Sequence, residues 1–180
     1  MISVKFDTRQ IERALDALGR NSDNAASRSL NRGIVAGRTQ LMRDTAEDMR
    51  LRQGTVRDRL KTTNSTPSTL TATVTAGTSR LALILFGARG PEPSRGKGRG
   101  VFARTPKGRY PNAFIARLRG RPGVFQRQRS TRLPIAELFG PSVAHVAAKH
   151  TDAAAARAGE MTTKRLEHEL QQEIRKAAKG

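Results

Sequence analysis

Apolar residues in this 180-residue chain recur every three to four positions toward both ends and every second position in between. The change of period constrains the fold more than any other feature. A three-to-four-residue step gathers side chains on one face of a helix, and a two-residue step gathers them on one face of a strand. Ile11, Ala14, Leu15 and Leu18 keep the helical step until Gly19 and Asn21 stop it, after a short β-like opening at 3–6. Leu30, Ile34, Leu41, Thr45 and Met49 continue it on a longer helix over most of 23–50, with Ser22 or Asp23 as cap and Arg28, Arg32, Arg38 and Arg43 on the solvent side. Residues 53–61 suit one more short helix before a Thr-Thr-Asn-Ser-Thr-Pro break.

Beyond that break the period shortens. Residues 69–76 alternate threonine with Leu70, Ala72, Val74 and Ala76, which predicts a half-buried strand. Residues 81–86 are apolar on both faces and are expected mid-sheet. Residues 113–119 and 124–127 flank Gly120-Arg121-Pro122-Gly123, the chemistry of a hairpin turn. The expected class is therefore α+β, with an antiparallel sheet of about four strands packed against N-terminal helices and a long C-terminal helix.

The segment between the second and third expected strands has no period. Residues 87–112 are dense in Gly, Pro and cations, so they are expected to form an extended basic loop or projecting arm rather than core. Between Arg89 and Arg132 there are thirteen Lys or Arg and one carboxylate, Glu92, so this quarter of the chain holds +12 of a formal net charge of +19. Such a surplus repels itself unless an anionic partner lies against it. The candidate contacts are Arg89, Arg95, Lys97, Arg99, Arg104, Lys107, Arg109, Arg117, Arg119 and Arg121.

After Val143 the helical step returns through Ala147, Ala154, Ala158, Met161, Leu166, Leu170 and Ile174, giving a C-terminal helical segment over 141–178. As one helix it would be roughly 55 Å long, more than a small sheet covers, so its far end needs another partner such as a second subunit. A restart at Thr151-Asp152 is the alternative, with Gly159 as a weak point. Between the basic region and this helix lies RLPIAELFGPSV, 132–143. Pro134 can end a strand, and Gly140-Pro141 can open a helix with Gly at the cap and Pro in the first turn. Leu133, Ile135, Leu138 and Phe139 would pin this rigid corner to the sheet.

Several chemistries find no support. The chain has no cysteine, which removes disulfides, thiolate metal sites and cysteine nucleophiles. The glycines around Lys97 lack phosphate-loop spacing, and no helix pattern follows. His145 and His150 fall on different faces of a helix and His168 is distant, so no metal set forms. No serine has a nucleophile elbow, and Asp44, Glu47 and Asp48 fit solvent-facing ion pairs on a basic helix. No cofactor is expected. With no leader pattern and no run of roughly 18 apolar residues, the chain reads as soluble, unexported and without a membrane partner. Nucleic-acid binding is the rival reading, since Phe102, Tyr110, Phe114 and Phe125 alternate with Arg104, Arg109, Arg117, Arg119 and Arg127. The same phenylalanines suit strand core positions, and no named nucleic-acid motif is evident.

The strings LILFGARG, FIARLRG and GVFQRQRSTRLPIAELFGPSV, at 83–90, 114–120 and 123–143, resemble the C-terminal half of the minor tail protein Z family of long-tailed bacteriophages and prophages. The resemblance implies a single tail-completion domain over 1–180. It implies a non-enzymatic virion protein at the neck, assembled in the host cytoplasm, that completes the tail and promotes head–tail joining through protein contacts. The implied partners are further copies in a ring, six as a first count, the tail terminator or tail tube, and the head connector. Non-specific contact with genomic DNA is a further use of the charge. The alternative is a non-enzymatic basic nucleic-acid-binding protein of packaging or ribosomal type.

Overall fold

A computed structural model describes residues 2–4, 21–92, 100–118 and 120–177. The helix expected around Ile11 to Leu18 lies outside the described residues, as do Arg95, Lys97, Arg99 and Arg119. The architecture is α+β. In order, strand β1 (Ile2–Val4) precedes helix α1 (Asn21–Asp48), helix α2 (Gln53–Arg57), β2 (Leu60–Thr63), β3 (Thr73–Ala76) and β4 (Arg80–Ala82). A 3-10 turn (Leu83–Phe86) leads to β5 (Val101–Phe102), β6 (Arg109–Tyr110), β7 (Ala113–Leu118), β8 (Arg121–Arg127), β9 (Ile135–Glu137) and β10 (Phe139–Ser142). Helix α3 (Val143–Ala147), a 3-10 turn (Ala148–His150) and helix α4 (Thr151–Ala177) follow.

The strands do not make one sheet of about four. They form small antiparallel sheets ordered β1-β3-β2, β10-β4, β5-β6 and β7-β8-β9. Local chemistry explains the shortened elements. Leu70 N–H donates to Thr66 O at 2.9 Å and the Thr66 and Thr69 hydroxyls lie 2.7 Å apart, so this threonine cluster forms a turn and the strand expected from 69 starts at Thr73. Its alternation holds, with Ala72, Val74 and Ala76 buried. The helix expected over 53–61 stops at Arg57, because Leu60–Thr63 finds a ladder against β3.

The stretch 81–86 is not a central strand. Only Arg80–Ala82 pairs, with β10; the chain then tightens into the 3-10 turn, with Leu83 and Phe86 buried and Gly87 at φ 63 ending it. A short run that is apolar at every position satisfies either geometry, which is why periodicity misassigns it, and in the turn Leu85 is left 46% exposed.

Helices α1 and α4 lie antiparallel. Arg28 near the start of α1 pairs with Glu169 late in α4, while Asp48 at the end of α1 meets His150 just before α4. Their crossing is close because of glycine. A Cβ at Gly33 would strike Thr162 Oγ1 and approach Ala158 O at 2.7 Å, and one at Gly37 would sit 2.8 Å from Ala158 Cβ. The C-terminal helix was expected against the sheet with its far end reaching another subunit; its main partner is α1 of the same chain. Glu169 is buried at this seam, 3.3 Å from Arg28 Nε and 2.7 Å from Arg165, which satisfies its charge.

The corner before α3 also differs from expectation. Gly140 and Pro141 belong to β10, and Ser142 is the helix cap, its hydroxyl accepting from His145 N–H at 3.3 Å. Leu138 packs partly buried on the core, but Leu133 is 66% and Phe139 46% exposed. The anchor is Gly140, whose missing side chain lets the fully buried Phe86 ring press on the backbone. The alternative of a restart at Thr151 matches in position, since a 3-10 turn separates α3 from α4, but Thr151 does not cap it: its hydroxyl donates to Ala148 O at 3.1 Å.

Candidate interaction surface

The segment expected to contain no core has a structured part. Val101 and Ala103 are fully buried and alternate with exposed Phe102 and Arg104, as strand geometry requires. Arg89 and Phe102 exchange two backbone hydrogen bonds of 2.8 Å, and Ile115 N–H donates to Pro91 O at 2.9 Å. Residues 87–92 and 100–112 are thereby tied to the β7 side of the β7-β8-β9 sheet. Only their central stretch, with Arg95, Lys97 and Arg99, lies outside the described residues.

The expected cations fall into two groups. Arg104, Lys107 and Arg109 stand exposed on the β5-β6 hairpin, with Lys107 Nζ 5.2 Å from the Tyr110 ring centroid and the Tyr110 hydroxyl 2.9 Å from Thr105 Oγ1. Arg117 and Arg121 stand exposed at the tip of the β7-β8 hairpin. The turn there is tighter than expected: Leu118 pairs directly with Arg121, Gly120 takes φ 77, and Pro122 and Gly123 are strand residues. Arg127, absent from the expected contacts, lies 5.6 Å over the Phe114 ring, and Arg129 and Arg132 extend the exposed cations beyond β8.

Among the described residues, no carboxylate lies within 4.0 Å of Arg89, Arg104, Lys107, Arg117, Arg121, Arg127, Arg129 or Arg132. Several carboxylates elsewhere are engaged with other cations. Asp48 meets Lys149 and His150, Glu160 meets Arg157, and Glu169 meets two arginines. The charge concentration is thus uncompensated within the described fold.

The register of the three-stranded sheet sorts its side chains. Ala113, Ile115 and Val124 face the core. Phe114, Ala116 and Leu118 share the opposite face with Arg121, Gly123, Phe125 and Arg127, and with Ile135 and Glu137 of β9. On this outer face Phe125 lies over Gly123, with its ring centroid 6.3 Å from that of Phe114. Phe125 is 6% exposed, Phe114, Ala116 and Ile135 are half-buried, and Leu118 is 45% exposed. Reading the phenylalanines as core positions concealed this second apolar face. The two-residue step through 114–118 and 121–127, counted from Val124 as the inward residue, was the signal that could have revealed it.

No metal centre is assembled among the described residues. They contain no group of three or more His, Asp or Glu able to hold a metal ion. His150 sits 3.3 Å from Asp48, while His145 and His168 are exposed. No described helix is long and apolar enough to cross a membrane. The family model for prophage minor tail protein Z matches residues 8–179. No curated protein and no solved structure matches the chain.

Proposed function

The chain belongs to the prophage minor tail protein Z family, and from that premise we propose that it completes the tail and joins it to the head by contact rather than catalysis. A structural part in a phage tail follows from the family. The finer placement at the neck, between the tail tube or its terminator and the head connector, is our reading. The carrying observation is the family match along almost the whole chain, residues 8–179. A ring of copies, six as a working number, suits such a junction.

The uncompensated cations support an anionic counterpart. Duplex DNA is one, since Lys107 beside Tyr110 and Arg127 over Phe114 combine cations with aromatic rings. The rings are poorly placed for stacking on bases, because Phe125 is buried and Phe114 half-buried. We favour protein, since a neck must let DNA slide and many tight phosphate contacts would hold it. In the particle, the cations of residues 89–112 would lie against a neighbour that lowers their mutual repulsion.

The test is a phage with this gene deleted. It should yield filled heads and tails of normal length that join poorly. Normal infectious particles would end the joining reading, and a defect in DNA cleavage or replication would favour an enzyme or a nucleic-acid module. In a parallel measurement, neutralising Arg95, Lys97 and Arg99 should weaken tail attachment and leave duplex binding unchanged. Should DNA be the partner instead, log affinity would fall with log salt at about −0.9 per phosphate contacted.

A further inference from the structure

We propose that the outer face of the β7-β8-β9 sheet, where Ile135, Phe114, Ala116 and Leu118 lie around the already buried Phe125, is a docking surface for an apolar patch rimmed by carboxylates on another virion protein. The proposal rests on the reading of this chain as a tail-joining component and adds where the contact is made and what chemistry it needs.

An antiparallel sheet with one face in water ordinarily carries polar residues there. This sheet is apolar on both faces. Ala113, Ile115 and Val124 meet the core, while Phe114, Ala116, Leu118, Phe125 and Ile135 line the other side. Leu118 stands 45% exposed at the hairpin tip, and Leu133, just before β9, is 66% exposed. Exposed leucines beside a continuous apolar face mark a contact surface more than isolated leucines do.

Charge decides among the occupants. Arg121 and Arg127 belong to the face itself, Arg117 and Arg129 flank it in sequence, and Glu137 is its sole carboxylate among the described residues. Among the described residues, none of these four arginines has a carboxylate within 4.0 Å. The partner must therefore bring negative charge around an apolar centre. A second copy brings none in surplus: α1 holds four Lys or Arg against four Asp or Glu, α4 holds five against five, and the remaining surplus is positive. Duplex DNA brings charge without an apolar patch, so Phe114 and Leu118 would oppose phosphates and gain nothing from burial. An acidic protein surface with an apolar centre meets both requirements.

The experiment complements the gene-deleted phage with full-length variants, after thermal melting of each purified protein. Leu118→Asp and Arg121→Glu change the exposed tip, so melting should match the wild type. Each should lower infectious yield at least about tenfold, the effect of losing one strong interface contact. Val35→Asp, on α1 and outside the β7-β8-β9 sheet, where Val35 is 52% exposed, should complement fully. Full complementation by both tip variants would overturn the docking surface while leaving the joining role intact, because that role depends on the deletion phenotype alone. If Leu118→Asp turned an oligomer into a monomer in sedimentation, the occupant would be a second copy and the proposal would fall. It would fall also if Leu118→Asp weakened binding to a 30-base-pair duplex as much as Arg121→Glu does.

Discussion

A single missing side chain holds the corner between the sheet and the C-terminal helices. Gly140 lies so near the Phe86 ring that an added Cβ would overlap it, and Phe86 is 1% exposed with no room to retreat. Gly140→Ala should therefore destabilise the protein by about 1–3 kcal/mol through overpacking. Phe86→Ala should cost more, about 3–5 kcal/mol, because it leaves a cavity in a closed core. Phe139 directly precedes the glycine yet is 46% exposed, so Phe139→Ala should cost under about 1 kcal/mol. Urea denaturation of the three variants gives the order, and a Phe139 variant as damaged as the Phe86 variant would contradict this account of the corner.

At the level of elements, the contact between α1 and α4 depends on how closely two backbones approach. In an isolated helix Gly→Ala is worth about 1 kcal/mol in favour of alanine. At Gly37 the new methyl would meet Ala158 Cβ at 2.8 Å and Ala154 O at 2.9 Å, neither of them the end of a flexible side chain. Gly37→Ala should therefore lose about 1–2 kcal/mol net. Gly159→Ala in α4, with nothing within 4 Å, should gain up to about 1 kcal/mol. Opposite signs in denaturant melts would support the packing; a gain at both sites would refute it. The same glycines show why part of the fold was hidden. The stripes Leu30, Ile34, Leu41 and Val143, Ala147, Ala154, Ala158 announced the helices, and the segments around 120 announced a hairpin. That α4 pairs with α1 was not legible, because Gly33 and Gly37 add nothing to an apolar stripe and become informative only once their neighbours are known. The run 81–86 misled for a different reason, since apolar residues at every position erase the period that separates strand from helical turn.

Across the whole molecule, charge was legible and its placement was not. The counts gave a basic quarter of the chain; only the register shows that part of it borders an apolar sheet face. A formal charge of +19 stores repulsion that added salt relieves. The Debye length shrinks from about 30 Å at 0.01 M to about 8 Å at 0.15 M, while the ion pairs that salt weakens are few and largely exposed. The melting temperature of the free protein should rise over that range. A fall would mean that the pairs around Asp48, Glu160 and Glu169 outweigh the repulsion.

The antiparallel pairing of α1 and α4 also sets an order of events in time. Asp48 and His150 meet across 102 residues, and the glycine contacts span still more of the chain. With translation adding about 5–20 residues per second, α1 leaves the ribosome at least about five seconds before the segment that covers it has been made. During that interval its buried row, with Ala26, Leu30 and Ile34, has no native cover from α4. Closure of the domain must then await emergence of α4, so chains stalled before α4 emerges should be cut by protease within α1 where chains that include α4 resist. A chain broken off before α4 lacks the seam that closes the domain over α1.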